Sequence, residues 1–318
     1  MFRTGYNGRR WLYCWFCTVL LNTATFPPVF TAECKVELSP YYVPQTLASF
    51  NENVGHSSHG AVNKTTGFSH LWVTRCRIFR EKPNPTQKSI LVSATLNVDE
   101  EILYKGARLV NLLTRFIPHD LYDSVAESMS VGIYSEGHEH PDVFPEYMPI
   151  EECKATCRGD CSKTCTDRGI QISQQISYDG RRVVVPDGDK DCPFRDPVTR
   201  LQNLLVKEFA SSLLKHGLTD TYKRQLEEAH KSGLSVWVGR PPVNRYFQQA
   251  TLSWFQATKL SPRVTYGMNR CSGGVICYDE QSSRQNMKET DALLYSVLNA
   301  IFNNKNSYLI GGITLCEW

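Results

Sequence analysis

Val206-Lys207-Glu208-Phe209-Ala210-Ser211 is the stretch of this sequence whose residue types come nearest to catalysis. On a helix, positions 207 and 211 lie four residues apart and project from one face. Two imidazoles at that spacing can hold one zinc ion, with a glutamate beside the first taking a proton from the metal-bound water. The glutamate is present as Glu208, but lysine and serine stand at the two ligand positions. An ammonium has no lone pair to give and repels a divalent cation, and a serine hydroxyl is a weak zinc ligand. Without the ion, water keeps its high pKa and the glutamate has little to deprotonate. Lys207 then has two expected placements: its ammonium sits near the vacated position and pairs with Glu208, or its stem carries the charge out to water. Taken without context, adjacent Lys and Glu describe an ordinary solvated helix face.

Other chemistry-bearing groups are sparser. His138-Glu139-His140 sets two imidazoles around an acid, a pattern open to a stray metal but sited in a polar loop before Pro141-Asp142. His216 and His230 fall at helix ends, where a cation complements the dipole. There is no glycine-rich phosphate loop, no Gly-x-Ser-x-Gly elbow and no basic stripe with interleaved aromatics, which argues against nucleotide, esterase and nucleic-acid chemistry.

The elements that would position these groups belong to a chain of 318 residues, 41% hydrophobic with 15 Tyr and 14 Phe, enough to bury a substantial core. Its first residues carry Arg3, Arg9 and Arg10 and no acid, then an apolar run from Trp11 to Leu21, then small residues. That order predicts a signal peptide over residues 1–24, with cleavage near Ala24 or as late as Ala32. Its removal takes the formal charge from +3 to zero, so the basic pI says nothing about nucleic acid. No later segment is apolar and long enough to span a membrane, and the expected location is outside the cell. Ten cysteines then remain: Cys34, Cys76, Cys153, Cys157, Cys161, Cys165, Cys192, Cys271, Cys277 and Cys316. An even number in an oxidising compartment predicts disulfides, without fixing their pairing. The run CKATCRGDCSKTC spaces four of them evenly, whereas structural zinc sites favour two close pairs. Asn63-Lys64-Thr65 is a glycosylation sequon in a polar stretch.

Residues 33–85 read as an irregular extension apart from a strand within His70–Phe79, and Pro83 and Pro85 mark a boundary. Ser89–Val98 reads as a strand, Asp99–Phe116 as an amphipathic helix with acids in its first turn, and Ser128–Tyr134 as a second strand. Arg181–Val185 is a further strand ending at Pro186. Asp196 is the expected cap of the helix carrying Lys207, Pro197 its first turn and Gly217 its left-handed stop. Helices are also expected over Thr221–Lys231, Asn244–Lys259 and Asn286–Phe302, with a short strand at Ser235–Val238.

Several stretches, in order, resemble the secreted zincin-like peptidases with an HEFAH-type helix, distantly similar to the metalloprotease end of anthrax lethal factor. These are ILVSATLNVDEEILYKGARLVNLL, PDVFPEY, CPFRDPVTRLQNLLVKEFASSLLKHGL, NRYFQQATLSWF and TDALLYSVLNAIF, spread over roughly two thirds of the chain. The resemblance places Lys207 and Ser211 at the family's two histidine positions, Glu208 at its general-base position and Gln249 at its third-ligand position. Tyr246 matches a tyrosine of the motif. What it implies is an α+β, zincin-like fold with a small twisted sheet packed on helices, over residues 86–318, with neither zinc nor another cofactor.

The function expected on that basis is that of a secreted pseudoenzyme which binds an extracellular protein or glycan. Two alternatives stay open: an active secreted metallopeptidase with an unconventional site, and an extracellular matrix or coat protein linked through disulfides.

Overall fold

The computed structural model describes residues 67–136, 138, 139, 144 and 181–302. The expected leader, Asn63, His140, Cys34, Cys316 and the CKATCRGDCSKTC run lie outside the described residues.

A mixed five-stranded sheet forms one layer. Its strands are β1 (Phe68–Val73), β2 (Ile78–Phe79), β3 (Ile90–Thr95), β4 (Ser130–Tyr134) and β5 (Arg182–Pro186), in the spatial order β2-β1-β3-β4-β5. β1 pairs antiparallel with β2 and with β3, the latter over six residues from Phe68↔Thr95 to Val73↔Ile90. β3, β4 and β5 run parallel. Val183, Val184 and Val185 of β5 are fully buried, as expected of a parallel strand whose apolar run has no solvent face. The sheet therefore continues across the expected boundary at residue 85: Pro83 and Pro85 lie in the connection between β2 and β3.

Helix α1 (Glu100–Thr114) starts where the sequence places it, with the Asp99 carboxylate accepting from Glu101 N at 2.8 Å. Ile102, Leu103, Leu109, Val110 and Leu113 bury its core face. Gly106 lets it come close: a Cβ there would lie 2.7 Å from Ile133 Cδ1 and 3.1 Å from the Phe194 ring. Helix α2 (His119–Ser128), which the sequence reading did not separate from its surroundings, follows before β4. Its apolar stripe is only Leu121, Tyr122 and Val125.

After β5 a small hairpin, β6 (Gly188–Asp189) and β7 (Cys192–Pro193), leads toward the helix that carries Lys207. That helix, α3 (Leu204–Ser212), begins seven residues later than the Asp196 cap predicts. Asp196 instead folds a turn, accepting from Val198 N (2.9 Å), Thr199 N (3.2 Å) and Gln202 Nε2 (2.5 Å). The cap is Asn203, which accepts from Val206 N at 3.1 Å. α3 continues as a π-helical turn, Leu213–Gly217, closed by Leu218 N donating to Leu213 O. Gly217 is not left-handed as expected; it is small because a Cβ would meet Leu213 and Val125 at 2.6 and 2.9 Å.

α4 (Asp220–Gly233) stops at the predicted glycine, and α5 (Val243–Trp254) is buried at every residue from Tyr246 to Trp254. The expected strand at 235–238 is a set of turns, with Val238 N reaching Tyr266 O. A short helix, α6 (Pro262–Thr265), follows. The single helix expected over 286–302 is two, α7 (Glu280–Thr290) and α8 (Ala292–Phe302), broken at Asp291. The described residues thus form a mixed α/β fold whose core runs from the sheet through α3 and α5 to α8.

Candidate functional site

α3 lies between β5 and α5, so its apolar residues Leu204, Leu205, Val206, Phe209, Ala210 and Leu213 are all buried. Its start is pinned from two sides: Leu204 N donates to Phe194 O, and Asn203 N donates to Ala257 O beyond α5. These bonds fix the register of α3, and Ser211 meets α5 through Gln248.

The Lys207 ammonium lies 2.9 Å from Glu208 Oε1, and the two side chains are only 12% and 5% exposed. Of the two placements open to this lysine, the ammonium is therefore paired, not carried to water. Adjacent helical residues point about 100° apart and do not normally face each other. The long lysine stem closes the gap. Ser211 Oγ lies 3.2 Å from Glu208 Oε2 and 3.1 Å from Lys207 O, so its single proton is shared between the two acceptors. Gln248 Nε2, from α5, donates to Ser211 Oγ, and its own carbonyl oxygen lies 3.4 Å from Arg245 Nη1. Both oxygens of the buried carboxylate are thus met by donors, which is what a charge removed from water requires.

Gln248, which sequence reasoning passed over, is the side chain that reaches Ser211. Gln249 is deeper, 2% exposed, with its Oε1 buried and without a hydrogen-bond partner. The two are one residue apart in NRYFQQATLSWF, and a one-residue step turns a helix by about 100°, so sequence spacing alone does not say which faces α3.

Tyr246 is not turned to Glu208. Its hydroxyl lies 2.6 Å from Asp291 Oδ2 and 3.1 Å from Ala229 O, while Trp237 Nε1 donates to the same carboxylate oxygen at 2.8 Å. Burial first, and then the Asp291 carboxylate, push its phenol pKa far upward, so it is a neutral donor bracing the break between α7 and α8. His230 packs edge-on against Tyr246 at 5.2 Å and gives its Nε2 proton to Pro241 O at 2.7 Å. His216 ends the π-helical turn, where its carbonyl accepts from Ser124 Oγ. Glu139 accepts from Thr95 Oγ1, Asn97 Nδ2 and Ser135 N, tying the end of β4 to that of β3.

Zinc does not fit the donors that α3 and α5 present. One oxygen of Glu208 is held by a cation, the other by a hydroxyl, and the groups at the positions where the resemblance expects ligands are an ammonium, an alcohol and a carboxamide. Among the described residues no three His, Cys, Asp or Glu side chains are grouped to hold a metal ion. Cys271 and Cys277 are bonded to each other, and Cys76 and Cys192 are half-cystines as well. No described helix is long and apolar enough to cross a membrane. No family model, curated protein or solved structure matches the chain.

Proposed function

We propose that this chain is a secreted, zincin-like pseudoenzyme: a protein that keeps the helix and glutamate of a zinc peptidase, has a cation where the metal would sit, and acts by binding an extracellular protein or glycan. The observation that carries the proposal is the buried Lys207–Glu208 pair, backed by Ser211 and Gln248. A carboxylate that neutralises an ammonium and accepts a hydroxyl proton is not free to take a proton from water. The remaining elements support the fold behind the proposal: a mixed sheet, a helix carrying the motif against its edge strand, and a second helix facing it.

The test is a peptidase assay on the purified full chain with a mixed pool of quenched peptides, alongside Lys207→His/Ser211→His/Gln249→Glu and the same variant with Gln248→Glu in place of the 249 change. The wild type is expected to cleave nothing in a chelator-sensitive way, and at least one triple variant is expected to take up zinc. Cleavage by the wild type that a chelator and Glu208→Gln both abolish would refute the proposal. Failure of both folded triple variants to bind zinc would remove the residue correspondence on which it rests.

A further inference from the structure

The parallel strands β4 and β5 end side by side, and beyond their C-terminal ends lies a cleft of about 430 Å³. That edge of a parallel sheet is where open α/β folds hold ligands, and the volume lies in the range of small-molecule sites. β4 runs out into Ser135 and Glu136, and β5 into Asp187 and Asp189, while the turn before α3 adds Arg195 and Arg200.

The framework of the cleft is rigid. Asp187 N donates to Tyr134 O at 2.8 Å, and its carboxylate accepts from Glu136 N at 2.9 Å, which locks the two strand ends together. Arg200 is held by its N–H on Asp196 O at 2.8 Å, in the left-handed region (φ 55°), at the end of the turn that the Asp196 carboxylate organises. Yet the charges at the tips are uncommitted: among the described residues Glu136, Asp189 and Arg200 make no ion pair. They do sense one another. Burial raises the Glu136 pKa first, Asp187 and Asp189 raise it further, and Arg200 and Arg195 oppose the rise. The three carboxylates are not grouped to hold a metal ion.

Glu136, Asp189 and Arg200, of both signs and carried on a fixed backbone at one cleft without pairing with each other, suit a ligand that carries both signs itself. The three uncommitted groups carry two negative charges and one positive, so the ligand should carry one more cation than anion. We propose that this cleft binds a small zwitterion bearing a further cationic group, namely an amino acid or peptide end with a basic side chain. Its carboxylate sits on Arg200 and its ammonium groups on Glu136 and Asp189. This assignment is independent of the Lys207 site.

The experiment uses the full chain and L-lysine, with binding followed by saturation-transfer NMR and calorimetry. Lysinamide, which lacks the carboxylate, and Nα-acetyl-lysine, which lacks the α-ammonium, are the comparison ligands. L-lysine is expected to bind saturably and both analogues more weakly. Arg200→Gln and Asp189→Asn are each expected to lower its affinity about two- to fivefold, the upper part of the range for one exposed charge contact. Both side chains are exposed, and an unchanged urea midpoint will show that the variants fold. No saturable binding up to about 20 mM, far weaker than small-molecule sites usually bind, overturns the proposal. So does equal affinity for the analogues, or an unchanged affinity in either variant.

Discussion

Replacing Lys207 by methionine keeps the length and helix propensity of the side chain while removing its charge. Glu208 is then left 4% exposed, with Ser211 Oγ at 3.2 Å as the side-chain donor that remains, among the described residues, on its carboxylate. Breaking a buried ion pair from one side costs ~3–5 kcal/mol, chiefly because the survivor is an uncompensated charge. The residual serine contact and the partial exposure of Lys207 argue for the lower end, ~3 kcal/mol. The double variant Lys207→Met/Glu208→Gln removes both charges together. It should recover most of that loss, because a neutral pair of similar volume is often as stable as the ion pair it replaces. Urea unfolding with the disulfides intact measures both, read as a shift of midpoint at constant slope. A Lys207→Met protein within ~0.5 kcal/mol of wild type, the range of ordinary surface substitutions, would refute the reasoning: the lysine would then be a solvated charge and not the counter-ion of a buried one.

Three further outcomes are expected. Gly233→Ala would push a Cβ into Asp291 Oδ2 and to 2.7 Å from Tyr246 Oη, breaking the Trp237–Asp291–Tyr246 contacts, and should cost ~1–3 kcal/mol by thermal or urea unfolding. Burial opposes ionisation of Asp196, but hydrogen bonds from Gln202, Val198 and Thr199 outweigh it and hold its pKa below the usual carboxylate value. Its contribution is therefore present above about pH 4 and lost as the pH falls through the lowered value, so the stability gap between wild type and Asp196→Asn should narrow from pH ~7 to pH ~2. Tyr246→Phe should destabilise by ~1.5–3 kcal/mol, the cost of a lost buried hydrogen bond to a charged group, and leave the Lys207–Glu208 contact unchanged in a crystal structure.

Much of the framework was legible because local chemistry and tertiary structure agree. Asp99 caps α1 with acids behind it, the four-residue recurrence of Leu205, Phe209 and Leu213 marks the buried side of α3, and Gly233 ends α4. What escaped was decided by partners distant in sequence. Asp196 carries the right side chain for a cap, but the same carboxylate can satisfy the N–H groups of a turn, and Asn203 caps the helix after Ala257 O and Phe194 O fix its start. The break between α7 and α8 sits at Asp291, whose carboxylate is claimed by Trp237 and Tyr246 from elsewhere in the chain. α2 shows too few apolar residues to announce itself. At the site, the motif pointed to Lys207, Glu208 and Ser211, which the structure brings together, whereas the choice between Gln248 and Gln249 depends on the rotation of α5 against α3.

The most direct measurement is anomalous diffraction at the zinc edge from crystals of the full chain soaked in a zinc salt. The expected map has no anomalous peak within bonding distance of Glu208, Ser211 and Gln248 or Gln249, and it shows the Lys207 ammonium on the Glu208 carboxylate. A zinc ion seated among those side chains, with Lys207 swung away, would contradict the reading of this helix as one whose metal has been replaced by a cation of its own.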